Sequence, residues 1–354
     1  MKIKKEVFKK NKSYQLLKRD IIQKNIFNKS YLKYLIIILF IICCFTFSTF
    51  IIIKSINKNN KNNNDNNNDN NNDNNKYDII IEDNIYLDKY ETYVYQKIKN
   101  KIEYNGCSQM FANQREFLNG VIRKFKPKKI VEIGVYNGGS SCIILNAIQD
   151  IENAHLYSID LSDSPDIGKC VRNLFPQFLN KWTLFTGNVA AKFMEQIGNN
   201  IDMVFIDSAH FEPGEILDFV IVLPFLKEGA IVGFHDLAAQ ITSLENCRNE
   251  WAPYIIYNVI RGKSYLPSGN FLLKQNIGIK ILEPNQKRYH QDYFRSLGGQ
   301  WQYFPKEKYI ELFIEYFKKY YDNNCLMIFK EAVDFNRVFV KKFPKDHQYK
   351  YNSD

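Results

Sequence analysis

The stretch from Lys129 to Ser141, K-I-V-E-I-G-V-Y-N-G-G-S-S, constrains this chain more than any other. An apolar run ends there in a glycine-rich turn, and small hydroxyl residues follow. This order is typical of a buried parallel strand that turns sharply into a helix. Gly134, Gly138 and Gly139 permit positive φ angles and a close approach of a ligand to the backbone. The N-terminus of the following helix favours an anionic ligand group, because its N–H groups are free and its dipole end is positive.

Strands and helices alternate after this turn, which predicts an α/β domain with a doubly wound, mostly parallel sheet. The predicted strands are Lys129–Val135, His155–Asp160, Trp182–Gly187, Ile201–Asp207, Ala230–Phe234, Phe271–Lys274 and Ile277–Leu282. The predicted helices are Ser140–Ile148, Asp166–Leu174, Val189–Ile197, Gly214–Leu226, Asn249–Ile260 and Lys306–Lys319. We therefore expect a seven-stranded sheet with helices on both faces.

A single transmembrane helix is predicted at residues 35–53, because this segment is apolar and uncharged and would be about 28 Å long as a helix. Eleven Lys and Arg residues precede it, which places the N-terminus in the cytosol. A long basic region before the span and the lack of a small-residue cleavage site argue against a removed signal peptide. The sequence thus predicts a signal anchor with the C-terminal domain in the lumen of the endoplasmic reticulum or Golgi.

The rest of the chain divides by composition. We expect a basic cytosolic tail at residues 1–34, an Asn-rich disordered linker at 54–76, a helical lead-in without site residues at 77–128, and the α/β domain with a C-terminal helical extension at 129–354. The tail carries eleven basic residues against Glu6 and Asp20, so it accounts for nine of the ten net positive charges. The folded part therefore has no charge-based reason to bind nucleic acid.

Of the seven cysteines, Cys43 and Cys44 lie in the apolar run and the other five are scattered without C-x-x-C pairs, so no zinc framework is visible. This pattern favours buried free thiols, and leaves one or two disulfides open if the domain is extracytoplasmic.

Polar residues stand at or beside the carboxyl ends of five predicted strands, at the edge where ligands bind in open parallel sheets. They are Glu132 with the glycine turn, Asp160, Gly187 with Asn188, Asp207 with His210, and His235 with Asp236. Asp160 is spaced to accept hydrogen bonds from the ribose of a nucleoside cofactor. A dinucleotide fold would have G-x-G-x-x-G, but Tyr136 stands where the second glycine belongs, which disfavours a nicotinamide oxidoreductase.

Together the strings E-I-G-V-Y-N-G-G-S-S, I-D-L, F-I-D-S-A-H-F-E-P-G-E-I-L-D-F and L-K-E-G-A-I-V-G-F-H-D-L resemble class I S-adenosyl-methionine-dependent methyltransferases. Within that class they are similar to the branch of cephalosporin-hydroxylase-like and of sugar and macrolide O-methyltransferases. The resemblance covers residues 128–237 and continues weakly to Leu282. It implies a Rossmann-like methyltransferase fold and O-methylation of a small-molecule or glycan hydroxyl.

The resemblance also implies roles for individual residues. The expected cofactor-binding residues are Glu132, Gly134, Tyr136, Gly138, Ser140, Asp160 and Asn188. Asn188 departs from the Asp that many relatives have near the adenine. Many relatives bind Mg²⁺ through carboxylates placed like Asp207 and Asp236, and hard oxygen ligands suit that ion. Such an ion would lower the pKa of the acceptor hydroxyl, while His210 or His235, next to Asp207, would take its proton.

Two alternatives stay open at this point. One is a catalytically degenerate methyltransferase-like interaction domain. The other is a glycan-processing transferase using a nucleotide sugar, which the order of anchor, spacer and domain suggests, although no D-x-D motif stands in the required context. The predicted lumenal placement also implies import of S-adenosyl-methionine, which is made in the cytosol.

Overall fold

A computed structural model of the protein describes residues 93–238, 250–267 and 276–342. The predicted tail, signal anchor and Asn-rich linker lie outside these ranges, as does the predicted strand Phe271–Lys274. Within the described ranges, no helix has both the length and the apolar character needed to cross a membrane.

One seven-stranded sheet forms the centre of the described chain. Its strands are β1 (Lys129–Ile133), β2 (His155–Asp160), β3 (Trp182–Thr186), β4 (Ile201–Ile206), β5 (Leu226–His235), β6 (Gly262–Tyr265) and β7 (Ile277–Leu282). Their order in the sheet is β3-β2-β1-β4-β5-β7-β6. The first five strands pair in parallel, and β7 pairs antiparallel with both β5 and β6. This confirms the predicted doubly wound, mostly parallel, seven-stranded sheet.

Helices surround the sheet. They are α1 (Tyr93–Tyr104), α2 (Ala112–Phe125), α3 (Gly139–Ala147), α4 (Lys169–Leu174), α5 (Met194–Ile197), α6 (Gly214–Val222), α7 (Ala252–Val259), α8 (His290–Arg295), α9 (Glu307–Tyr320) and α10 (Asn323–Lys342). The lead-in is helical as predicted, in α1 and α2.

Both faces of the sheet are buried, which explains why its inner strands are continuous apolar runs. Along β1, Ile130 packs into one apolar cluster with residues of α2 and α3. Val131 and Ile133 point the other way, into a cluster with residues of α6 and α9. Alternate side chains of one strand thus belong to different layers of the core.

Strand register fixes which polar residues meet at the carboxyl edge. Ile133 pairs with Ile206, and Ile206 pairs with Phe234. The residues that follow on β4 and β5, Asp207 and His235, therefore emerge side by side. The strand order reverses between β1 and β4, and ligands of open α/β sheets bind at such switch points.

Two local predictions differ from the structure, and one open question is answered by it. Strand β6 was not expected, because G-K-S-Y lacks an apolar run and lies at the sheet edge. The predicted helix Val189–Ile197 is instead a 3₁₀ turn, Ala190–Lys192, followed by the single turn α5. Cys107 and Cys170, whose pairing the sequence left open, form a disulfide. The fold brings their Cα atoms to 6.0 Å across a sequence separation of 63, which is within the range that a disulfide spans.

Candidate active site

The glycine turn after β1 is held against the ends of the neighbouring strands. The Gly134 N–H donates to the Ile159 carbonyl oxygen at 2.9 Å. Gly134 has a φ of +89°, and a Cβ there would lie 1.9 Å from the backbone oxygen of Asp207. Only glycine fits this position, because both the backbone angle and the space exclude a side chain. Gly138, also at φ +89°, is the N-cap of α3.

Tyr136 lies at the tip of this turn with a φ of +49°, and its side chain is 60% exposed. A positive φ is uncommon for a bulky residue, and residues with such strained backbone angles cluster at active sites and ligand-binding segments. Its carbonyl oxygen accepts the Gly168 N–H at 2.7 Å, which ties the turn to the N-terminus of α4. The exposed ring therefore stands on a fixed backbone.

Asp160 accepts hydrogen bonds from the backbone of the same turn. Its Oδ2 accepts the N–H groups of Val135 and Tyr136 at 2.9 and 3.0 Å, and its Oδ1 accepts the Ser162 N–H at 2.9 Å. A carboxylate offers about four acceptor positions, so it can accept further hydrogen bonds. Asp160 thus shapes the turn in addition to its predicted role toward a ribose.

Glu132 is fully buried beneath the turn. Its Oε2 accepts hydrogen bonds from the hydroxyls of Ser141 and Ser158, each at 2.6 Å. Its Oε1 is buried and has no hydrogen-bond partner among the described residues. Burial raises the pKa of Glu132 to about 7. An unpartnered carboxylate oxygen is costly in a protein interior, so it indicates a missing donor.

A cavity of about 240 Å³ opens at the N-terminus of α3. Tyr136 and Ser140 line it on the glycine side, and the ends of β4 and β5 line the opposite side. The lead-in contributes a third wall, residues 107–110. This wall lies so close to α3 that a Cβ on Gly139 would approach the Cys107 oxygen to 2.3 Å.

Two carboxylates and two imidazoles meet in this cavity. Nε2 of His210 lies 3.2 Å from Oδ2 of Asp236 and 3.9 Å from Oδ1 of Asp207. Nδ1 of His235 lies 3.4 Å from Oδ1 of Asp207 and 3.3 Å from Oδ2 of Asp236. Asp236 adopts a φ of +54°, and its Oδ1 accepts the Asn276 amide at 2.6 Å.

Each imidazole is anchored through its other ring nitrogen. Nδ1 of His210 lies 3.0 Å from Oε1 of Glu215, a fully buried carboxylate that also accepts the Ser208 N–H at 3.0 Å. Nε2 of His235 lies 3.0 Å from Oε1 of Gln114 on α2. Both rings therefore turn one nitrogen toward Asp207 and Asp236 and bind a fixed acceptor with the other.

The charges of this cluster are strongly coupled. Burial alone would lower the pKa of His210, but the hydrogen bond and charge of Glu215 and the charges of Asp236 and Asp207 raise it to about 10. Burial also opposes charge on His235, yet Asp207 and Asp236 raise its pKa well above the usual range. Burial would raise the pKa of Asp236, but both imidazoles and the Asn276 amide hold it well below its usual range.

The structure brings most of the predicted site residues to one edge of the sheet. Around the cavity lie Tyr136, Ser140, Asp207, His210, His235 and Asp236, and the turn and its supports contain Glu132, Gly134, Gly138 and Asp160. Asn188 lies after β3 and does not line this cavity; its Oδ1 accepts the Val189 N–H at 3.1 Å. The sequence reasoning missed Glu215, Gln114 and Cys107. Glu215 stands in a quoted string, whereas nothing near Gln114 in the sequence signals its contact with the site.

Three residues offer ligand atoms suited to a divalent cation. One atom each from Asp207, His210 and Asp236 lies within 4.8 Å of the others. The expected pair Asp207 and Asp236 is thus joined by an imidazole nitrogen. Two carboxylates and one imidazole suit Mn²⁺, Fe²⁺ or Zn²⁺ as well as Mg²⁺.

Comparisons with known proteins agree with the expected family. Residues 131–237 match a family model described as a methyltransferase domain. No curated protein matches the chain.

Similar solved structures include a putative caffeoyl-CoA O-methyltransferase from Staphylococcus aureus, with 20% identity, a TM-score of 0.43, and coverage of 56% of this chain and 96% of that one. Another is the O-methyltransferase TomG from Streptomyces achromogenes, with 16% identity, a TM-score of 0.41, and coverage of 56% and 95%. The segment that matches the family model contains the glycine turn, Asp160 and the carboxyl-terminal ends of β4 and β5. Residues 131–237 of this chain therefore match a methyltransferase domain, in agreement with the resemblance that its motifs show.

Proposed function

We propose that this protein is a membrane-anchored, S-adenosyl-methionine-dependent O-methyltransferase that acts on a small-molecule or glycan hydroxyl. The observation that carries the proposal is the meeting of the glycine turn with four ionisable side chains at one cavity. One side of the cavity suits a nucleoside cofactor, and the other side suits a hydroxyl that must lose its proton.

The residues of the turn fit S-adenosyl-methionine. Glu132 has one buried oxygen without a partner, which suits a cationic or N–H-bearing group of the methionine part. The space at Gly134 does not admit a Cβ, so the backbone of the turn stays open to a ligand. The start of α3 offers free N–H groups to a carboxylate. When bound there, S-adenosyl-methionine would supply an electrophilic methyl group.

The residues of the opposite wall fit a divalent cation. Asp207, His210 and Asp236 would hold it, and it would supply a positive charge that lowers the pKa of a nearby hydroxyl. Such a charge would also lower the pKa of His210 and His235, because it offsets the carboxylates that raise them.

The chain's own side chains would orient the acceptor and move its proton. Nδ1 of His235 faces the cavity and is not among the proposed cation ligands, so it is placed to exchange a proton with a hydroxyl there. Nε2 of His210 would have this role only when it does not bind the cation. The lead-in wall, residues 107–110, would exclude water from one side of the site.

Membrane anchoring rests on residues 35–53, and the excess of basic residues before that segment favours a lumenal C-terminal domain. The Cys107–Cys170 disulfide supports this placement, since disulfides persist in oxidising compartments and are rare in the cytosol. Protease added to sealed microsomes should spare the C-terminal domain, and its removal would contradict the lumenal placement.

Label transfer tests the proposed activity directly. The protein would be incubated with methyl-labelled S-adenosyl-methionine and a panel of phenols, monosaccharides and glycans, beside the variant His210→Asn. We expect label on one acceptor class, and a loss of about 100-fold or more in the variant, whose cofactor affinity should be unchanged. Cofactor binding without transfer to any acceptor would favour the degenerate interaction domain.

A further inference from the structure

His235 lies in a buried position with every ring nitrogen occupied. It is the last residue of β5 and only 6% exposed. Nδ1 faces Asp207 and Asp236, and Nε2 faces the side chain of Gln114 across a sequence separation of 121 residues. Gln114 belongs to α2, which precedes the segment that matches the methyltransferase family model.

The orientation of the Gln114 amide follows from a second contact. Its Oε1 also accepts the backbone N–H of Phe111 at 2.8 Å, and a backbone N–H can only donate. The side-chain oxygen of Gln114, and not its nitrogen, must therefore face the Phe111 N–H. Since Nε2 of His235 lies 3.0 Å from the same oxygen, Nε2 must carry a hydrogen and donate it.

We propose that Gln114 is a positioning residue of the active site: it accepts a hydrogen bond from Nε2 of His235 and so holds the ring with Nδ1 facing Asp207 and Asp236. A side chain outside the segment that matches the family model thus sets which nitrogen of His235 faces the cavity. The contact also fixes the plane of the His235 ring, because contacts at both ring nitrogens leave little rotation about the bonds of its side chain.

The expected effect of Gln114 on kcat rests on the proposed methyl transfer. The expected hydrogen on Nε2 of His235 does not depend on that proposal. Nitrogen-15 NMR of the imidazole rings reports that position, and the chain has five histidines, so the spectrum is tractable. The variant His235→Asn identifies the signals of His235. We expect Nε2 of His235 to be protonated and slow to exchange in the wild type.

Two variants of Gln114 separate the hydrogen bond from packing. Gln114→Glu keeps an acceptor oxygen, whereas Gln114→Met has a similar length and no comparable acceptor. We expect Gln114→Met to lose the protected Nε2 hydrogen and about 10-fold or more in kcat, with KM for S-adenosyl-methionine within about twofold. Gln114→Glu should retain both the NMR signature and most of the activity.

A wild-type spectrum in which Nε2 of His235 lacks a hydrogen would overturn the proposal, even if Gln114→Met failed to fold. An unchanged ring signature and turnover in a folded Gln114→Met would also overturn it. Absence of cofactor binding and turnover in the wild type would count against the proposed function alone, since the ring spectrum would still test the role of Gln114.

Discussion

The backbone oxygen of Asp207 lies where a Cβ on Gly134 would be, at 1.9 Å from its ideal position. The turn that would hold the cofactor and the strand end that would hold the acceptor are therefore in direct contact. Gly134→Ala must displace one of them, and its φ of +89° adds strain. We expect calorimetry to show a loss of cofactor affinity of about 10-fold or more in Gly134→Ala. The reason is that a displacement of binding groups by about 1 Å costs at least that much.

Gly229→Ala is the matched control for this prediction. Gly229 also has a positive φ, of +69°, but a Cβ there meets nothing within 4 Å. It should lower the free energy of unfolding by about 1 kcal/mol and leave cofactor affinity unchanged. Equal cofactor affinity in the two variants would contradict the proposed contact between turn and strand end.

The Cys107–Cys170 disulfide should stabilise the domain through its long loop. Closing a loop across a separation of 63 residues restricts the unfolded chain, which corresponds to about 4 kcal/mol in the chain-entropy account. Urea unfolding should show this loss in the double variant Cys107→Ser, Cys170→Ser. A reductant should lower the stability of the wild type to the same level and leave the double variant unaffected. A wild-type midpoint that does not respond to reductant would show that the disulfide is absent.

Glu132 should make stability depend on pH. Burial raises its pKa to about 7 in the folded chain, from 4.5 as an ordinary side chain. Between these values the unfolded chain releases a proton that the folded chain keeps, so this residue lowers the free energy of unfolding as pH rises. Relative to wild type, Glu132→Gln should gain about 3 kcal/mol across that window, at about 1.4 kcal/mol per unit. Unfolding measured at both ends of the window tests this, and a constant difference would show that Glu132 is already ionised.

Divalent cations should bind through Asp236. Asp236→Asn removes the charge while keeping a residue that tolerates a φ of +54°. We expect the affinity for Mn²⁺, followed by electron paramagnetic resonance, to fall by about 10-fold or more, because a ligand is lost from the set. The exposed Asp166→Asn serves as a control with the same chemical change outside the site. Wild-type affinity in Asp236→Asn would exclude Asp236 as a ligand.

The parts of the fold that the sequence predicts well are those with strong local patterns. β2 and β7 begin and end at the predicted residues. β7 alternates isoleucine with glycine and lysine, and β2 lies between the polar residues His155 and Asp160. The strand-end residues Asp207 and His235 could be placed together, since parallel strands bring their carboxyl ends to one edge.

The features that the sequence reasoning missed depend on contacts between distant parts of the chain. Gln114 contacts His235 across 121 residues, and Cys107 pairs with Cys170 across 63. Both belong to the lead-in, whose sequence shows only helical spacing and turn residues. β6 is a four-residue edge strand, and its pairing with β7, not its own composition, makes it a strand.

Calorimetric titration of the purified protein with S-adenosyl-methionine tests the central claim most directly, with NAD and a nucleotide sugar as competing ligands. We expect one site of micromolar affinity for S-adenosyl-methionine, weakened in Glu132→Gln and Gly134→Ala, and no heat from the other two. Binding of the nucleotide sugar or NAD, or no binding to a protein shown to be folded, would contradict the proposal that this domain is a working methyltransferase.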